Sequence, residues 1–215
     1  MTILGYIAFS LRRSTYVGWL GSGWPEWVAV DNNPVEFNQD INRLQSFVSF
    51  TLLFANLVPG FWIDFCRKKW QNRSDTYGEF VGLGSSYIIC TICMAVASIL
   101  QAQQSELAAN SAVIVHNVGR CFGVLWNPVY FYLFPAHLYG FVFGSIALIA
   151  QPFGLLNIFM LSYNTKNDDY AVMNYLLAGI ISLLVVVSFA CYRRYKTNQK
   201  NSVNNDTVYE NCTSL

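Results

Sequence analysis

Long apolar stretches separated by short polar breaks run the length of this chain. Alternation with a period of two, the mark of a barrel strand, is absent from them. Six stretches approach or exceed the roughly 20 residues that carry a helix across a bilayer core. They span about residues 4–30, 44–63, 80–101, 108–134, 138–162 and 171–192, with Arg12 and Arg13 interrupting the first. In hydrocarbon every backbone amide needs an internal partner, so the pattern predicts helices. The expected fold class is all-α, a polytopic transmembrane six-helix bundle over residues 1–192, followed by a polar, disordered cytoplasmic tail over 193–215.

Composition supports the membrane class. The chain is 54% hydrophobic and 12% charged, where a soluble domain carries about 25% charged residues. The net charge of +1 points to no partner, and no nucleic-acid signature is present. The distribution of charge is more informative. Arg67, Lys68, Lys69 and Arg73 fall on the same side as Arg193, Arg194, Lys196 and Lys200, whereas the other side holds only Arg43 and Lys166 among several acids. The positive-inside rule then places the 64–79 loop and both termini in the cytoplasm. Sequons at Asn72, Asn205 and Asn211 lie on that side, where glycosylation does not occur. Met1 to Leu11 lacks both a preceding basic residue and a cleavage site, so it is not read as a signal peptide.

Chemistry of the bond-making kind has few candidates. Cys90-x-x-Cys93 has redox spacing but sits within "YIICTICMAVASIL", where a thiol pair one turn apart is read as packing. With two histidines, no nucleophile elbow and no phosphate-cradling loop, the expectation is a non-enzyme without metal or cofactor. Glu26, beside Pro25 and Trp27, is read as a loop acid. Trp19, Trp24, Trp27, Trp62, Trp70 and Tyr192 are read as interfacial belts. Gly78-x-x-x-Gly82, Gly119-x-x-x-Gly123 and Gly140-x-x-x-Gly144 are small-residue seams suited to helix packing.

One segment concentrates charge directly after an apolar run. "VPGFWIDFCRKKW", residues 58–70, places Gly60, Asp64, Arg67, Lys68 and Lys69 within three turns. Gly60 would let a neighbouring helix approach, and Pro59 would loosen the helix before it. Asp64 would pair with a basic group or face a helix N-terminus, latching two helices; the alternative is a stop-transfer sequence with a stray carboxylate.

Gly60-x-x-x-Asp64-x-x-Arg67-Lys68 resembles the loop signature of the major facilitator superfamily, and it falls between the second and third spans, as that signature does. "LRRSTYVGWLGS", "VPGFWIDFCRKK", "GRCFGVLWNPVYFYLFPAHLYG" and "SIALIAQPFGLLN" resemble, in order, the C-terminal half of solute carrier family 43 over about residues 10–192. An insertion falls near Trp24–Gln39. Ala136-His137-Leu138-Tyr139-Gly140 lacks the acid that family members carry, and Phe141 replaces a basic residue.

The resemblance implies a facilitator of small neutral solutes, large neutral amino acids or nucleobases, working by alternating access. This chain would supply the C-terminal half, with a missing N-terminal half or a second copy as partner. The alternative is a non-transporting half-length scaffold or regulatory subunit. Plasma membrane is the implied compartment. Gly60, Asp64, Arg67 and Lys68 would form the cytoplasmic gate. Arg120 matches an arginine of the family and would hold a carboxylate or carbonyl, pair with another helix's acid, or reach an interface; His116, one turn earlier, would share its polar surroundings. Asn127 before Pro128, Gln151 before Pro152, Asn157, and the Gly18 and Gly21 pair complete the candidate substrate site, each serving equally well in helix packing. Gln45 and Asn56 repeat that pattern in the second span.

Overall fold

A computed structural model of the chain describes residues 16, 19–20, 23–29, 33–55, 57–71, 75–123, 136–183, 186, 190 and 193–194. These residues are almost entirely helical and include no strand, so the protein is all-α where it is described. Its helices are α1 (Trp24–Val28), α2 (Pro34–Ala55), α3 (Leu57–Lys69), α4 (Asp75–Gln101), α5 (Glu106–Gly123), α6 (Tyr139–Asn167) and α7 (Ala171–Leu183). A 3-10 turn, Ala136–Leu138, leads into α6.

Local chemistry explains the boundaries. Asn33 accepts the Val35 N–H on its Oδ1 at 3.2 Å, and Pro34 occupies the first helical position, where its missing N–H costs nothing. Helix α2 therefore begins at Pro34 rather than near Leu44, where the apolar run begins. Backbone hydrogen bonding is indifferent to the polarity of the outward face, and Phe37 and Ile41 give the polar segment an inward one. At the other end Pro59 cannot donate to the carbonyl of Ala55 and its ring crowds that position. The chain accordingly bends by 43° between Pro34–Leu52 and Leu57–Lys69. Helix α6 runs through Pro152 and ends at Asp168, which adopts the left-handed conformation (φ 49°, ψ 38°) that a short polar side chain tolerates. Asp169 then accepts the Ala171 N–H at 2.8 Å, starting α7.

Among the described residues, Tyr77–Gln101 is the one continuous helix long and apolar enough to cross a membrane. The bent Pro34–Leu52 and Leu57–Lys69 pair qualifies if it is one span, and Ala171–Leu183 is apolar but shorter. Most of the first expected span, residues 124–134 of the fourth, residues 184–185, 187–189 and 191–192 of the sixth, and residues 195–215 of the tail lie outside the described residues.

Helix α4 packs along both α3 and α5, and α2 packs against α5. The first interface is a backbone contact. A Cβ on Gly78 would lie 2.6 Å from the Arg67 Cα, and one on Gly82 would lie 3.0 Å from the Ile63 Cα. Trp62 adds a cross-link, its indole N–H donating to Ser85 Oγ at 2.8 Å. The close approach expected at Gly60 occurs instead at these two glycines, because α3 turns Gly60 away: nothing lies within 4 Å of a Cβ placed there. Gly140 and Gly144 are equally open, whereas Gly119 meets Cys93 Cβ at 3.1 Å and Met94 Cε at 3.2 Å.

A buried cluster joins Trp19 and Trp24 to Ile41 of α2, Met94 of α4, Ala109 of α5 and Leu177 of α7. Trp19 and Trp24 are fully buried, which corrects their reading as interfacial belt residues. Trp24 can be interior because its indole N–H donates to the Gln101 carbonyl at 3.1 Å, an acceptor freed by the end of α4.

The glycine contacts make a direct prediction for stability. Gly78→Ala forces α3 and α4 apart and should cost about 1–3 kcal/mol. Gly60→Ala, with open space and a better helix former, should be neutral or stabilising by up to about 1 kcal/mol. Chemical unfolding of the purified variants checks both, and equal effects would overturn this account of the α3–α4 interface.

Candidate functional site

A polar network crosses the interior between α2, α5 and Tyr16, which precedes α1. Gln45 is its hub. The Gln45 Oε1 accepts from Tyr16 O–H at 2.7 Å and from Asn117 Nδ2 at 3.0 Å, which uses both of its lone pairs. Gln45 Nε2 donates to Ser49 Oγ at 3.1 Å, one turn along α2. Asn117 also donates from Nδ2 to the Val113 carbonyl at 2.8 Å, which fixes its amide plane. Arg120 Nη1 reaches Asn117 Oδ1 at 3.4 Å, a long contact for an N–H donor. Tyr16 lies flat on His116, with ring centroids 3.8 Å apart and planes 11° off parallel.

The periodicity of α5 produces this grouping. Val113 and Asn117, and His116 and Arg120, are four residues apart, so each pair shares a helix face. Tyr16, His116 and Asn117 are buried, while Gln45, Ser49 and Arg120 are half-buried at the edge. The set supplies carboxamide donors and acceptors that stay neutral at any pH, together with a guanidinium that stays charged. Such a surface can orient a small polar solute by hydrogen bonds to its carboxylate, carbonyl or ring-nitrogen edge.

The structure brings Arg120, His116 and Gln45 into one neighbourhood and adds Tyr16, Ser49 and Asn117. Tyr16 stands within the quoted "LRRSTYVGWLGS", but no spacing in the sequence points from it to Gln45, 29 positions away. Asn157 is half-buried on α6, on the same face as Leu161 and Asn164, four and seven residues on. Asn164 is fully buried, and among the described residues neither of its amide atoms has a hydrogen-bond partner. Gly18, Gly21, Asn56 and Asn127 lie outside the described residues, as does the side chain of Gln151.

The charged package at the end of α3 is arranged differently from the expected latch. Asp64 is exposed and forms no ion pair among the described residues; the α3–α4 pair is Arg67 Nε with Glu79 Oε1, at 3.7 Å. Antiparallel packing brings Glu79, next to the tight contact at Gly78, level with Arg67, whereas Asp64, one residue after the contact at Ile63, is turned about 100° around α3 from it and is exposed. Lys68 is exposed, and Lys69 lies 5.8 Å from the Phe65 ring centroid. With side chains 52% and 30% exposed, the Arg67–Glu79 pair is a surface contact rather than a lock.

Comparison with family models, curated proteins and solved structures returns no match.

Two measurements test that geometry. Gln45→Leu leaves the Tyr16 hydroxyl and one Asn117 donor without their acceptor and should destabilise the chain by about 1–3 kcal/mol, whereas Gln45→Glu, which keeps an acceptor oxygen, should cost less. A double-mutant cycle on Arg67→Ala and Glu79→Ala should give a coupling below about 1 kcal/mol. A larger coupling would make this pair a latch between α3 and α4.

Proposed function

We propose that this chain forms the C-terminal six-helix half of a membrane facilitator, similar to solute carrier family 43 within the major facilitator superfamily. It moves small neutral solutes, large neutral amino acids or nucleobases, by alternating access. The observation that carries the reading is the Tyr16–Gln45–Asn117–Arg120 network, a polar interior in a bundle whose outside is largely apolar. Phe47, Phe54, Phe61, Phe141 and Leu148 are each more than two-thirds exposed, a surface that suits lipid and is rare on a soluble monomer.

Depth supports the same assignment. Asn117 lies eleven residues beyond Glu106, about 16 Å along α5 at 1.5 Å per residue. That is close to the middle of a bilayer core about 30 Å thick, the level at which facilitators of this architecture bind their cargo. An ionisable group at such depth faces a polar interior, and Arg120 does so through Asn117. In this reading the half-buried Arg120 holds the carboxylate or carbonyl edge of the solute and Gln45 offers its amide N–H, while the buried Asn117 holds both of them in place, with no bond made or broken. A missing N-terminal half or a second copy of the chain forms the opposite wall. In this reading the end of α3, with Gly60, Asp64, Arg67 and Lys68, is the cytoplasmic gate, and the plasma membrane is the compartment.

Uptake of labelled leucine and of labelled adenine by cells expressing the chain tests this, with surface labelling alongside. Saturable uptake of one of them is expected. Arg120→Ala should raise its apparent KM about tenfold or more, the loss of one charge-assisted hydrogen bond. No uptake at equal surface expression, with or without a complementary six-helix half, would assign the chain to a non-transporting scaffold or regulatory subunit.

A further inference from the structure

Helix α2 presents two different kinds of surface. From Gln39 to Ser46 its exposed positions are Gln39, Asp40, Asn42, Arg43 and Ser46, all polar, whereas from the next residue on Phe47, Phe50 and Phe54 make the exposed face apolar. Asp40 and Arg43 pair at 3.3 Å with side chains 64% and 77% exposed. Asn42 Nδ2 donates to Asn38 Oδ1 at 2.9 Å, and Ser46 Oγ donates to the Asn42 carbonyl at 2.8 Å.

The level of this stripe in the bundle gives it meaning. Helices α3, α4 and α5 alternate in direction, so α5 runs parallel to α2, with Gln45 beside Asn117. Counting back and forward from that pair puts Asn42 level with Ile114 and Ser46 level with Val118. Both of those α5 residues are exposed and apolar, and Ile92 and Val96 on the neighbouring α4 are exposed as well. At one depth, then, the α4–α5 side of the bundle offers hydrocarbon and the α2 side offers an ion pair, a carboxamide and a hydroxyl.

A bilayer cannot satisfy both sides at that depth. Charged groups in a spanning segment are costly against lipid and face bundle interiors or water-filled cavities. We infer that the Gln39–Ser46 face of α2 is the wall of a water-filled vestibule leading from the outer side of the membrane to the Gln45–Asn117–Arg120 network. The inference rests on the membrane reading proposed above and specifies the route by which solute reaches the site. Ser49, which accepts from Gln45, follows Ser46 by three residues, so the stripe runs into the network along one edge of α2. The wall's acid and base pair with each other, so it presents dipoles rather than net charge. That suits a neutral or zwitterionic solute and gives an ion little to bind.

Cysteine accessibility in the full chain tests the vestibule. Asn42→Cys and Ser46→Cys are compared with Ile114→Cys and Val118→Cys in intact cells, using a membrane-impermeant, positively charged thiosulfonate added outside. The parent chain gives the background from its own cysteines, of which Cys66, Cys90 and Cys121 are buried. Because the reacting species is the thiolate, which forms poorly in hydrocarbon, residues 42 and 46 should label about tenfold or more faster than 114 and 118. Equally slow labelling at all four positions, each still reactive toward a lipid-permeant maleimide, would overturn the vestibule while leaving the membrane reading intact. Equally fast labelling at all four would show that the bundle is not in a bilayer, and would overturn both.

Discussion

Helix α4 can lie against α3 at backbone distance only because Gly78 and Gly82 carry no side chain, and much of the remaining arrangement follows from that approach. Contacts across the interface pair Arg67 with Gly78 and Glu79, Ile63 with Gly82, and Trp62 with Ser85. The positions fall on one helix as they rise on the other, as an antiparallel pair requires. Gly119 repeats the device on the other side of α4, against Cys90, Cys93 and Met94. Two tight seams therefore hold three helices in a defined register, and that register brings α5 back parallel to α2 with Asn117 opposite Gln45. Close packing of this kind gains dispersion contacts and needs no hydrophobic effect, which is why small residues are favoured where the surroundings are themselves apolar.

The polar network depends on that register and also reinforces it. Its hydrogen bonds join Tyr16, α2 and α5 through one carboxamide oxygen. Each bond contributes only about 1 kcal/mol net, but an unmade one in the interior costs more than a made one gains. The arrangement is thus better at excluding alternatives than at adding stability. For the proposed binding surface this is useful, since groups already oriented by their neighbours would lose little freedom on meeting a solute. The edge members, Gln45, Ser49 and Arg120, are half-buried, which places the network at the boundary between the interior and the outer face of α2.

The outer surface shows a second division. Helices α6 and α7 expose Phe141, Leu148, Phe159 and Leu183, while the first half of α2 exposes amides and charges. A globular protein in water would bury the first set, and a bundle surrounded by lipid on all sides would bury the second. The membrane reading proposed above accommodates both surfaces, with lipid on one side of the bundle and water on the other. The basic end of α3 fits the same scheme, because its exposed side chains change from Phe61 and Phe65 to Arg67, Lys68 and Lys69 within about two turns.

Read along the chain alone, the residues announce helices, a helix loosened at Pro59, and Arg120, His116 and Gln45 as polar groups in apolar surroundings. Each depends on short-range physics: backbone hydrogen bonds close within a turn, proline acts on its own turn, and apolar periodicity is local. Partnership was not legible. The sequence offers Gly60 and Gly78 as similar small residues in similar helices, yet only Gly78 meets a neighbour. Asp64 stands closer to Arg67 in sequence than Glu79 does, yet Glu79 forms the pair. Trp19 and Trp24 have the composition of belt residues but fill the core. In each case the outcome depends on the rotation of one helix about its axis and its register along the next. Only the tertiary structure decides these, because turning a helix by one residue, about 100°, exchanges the side chain at a contact without changing the local pattern that makes it a helix.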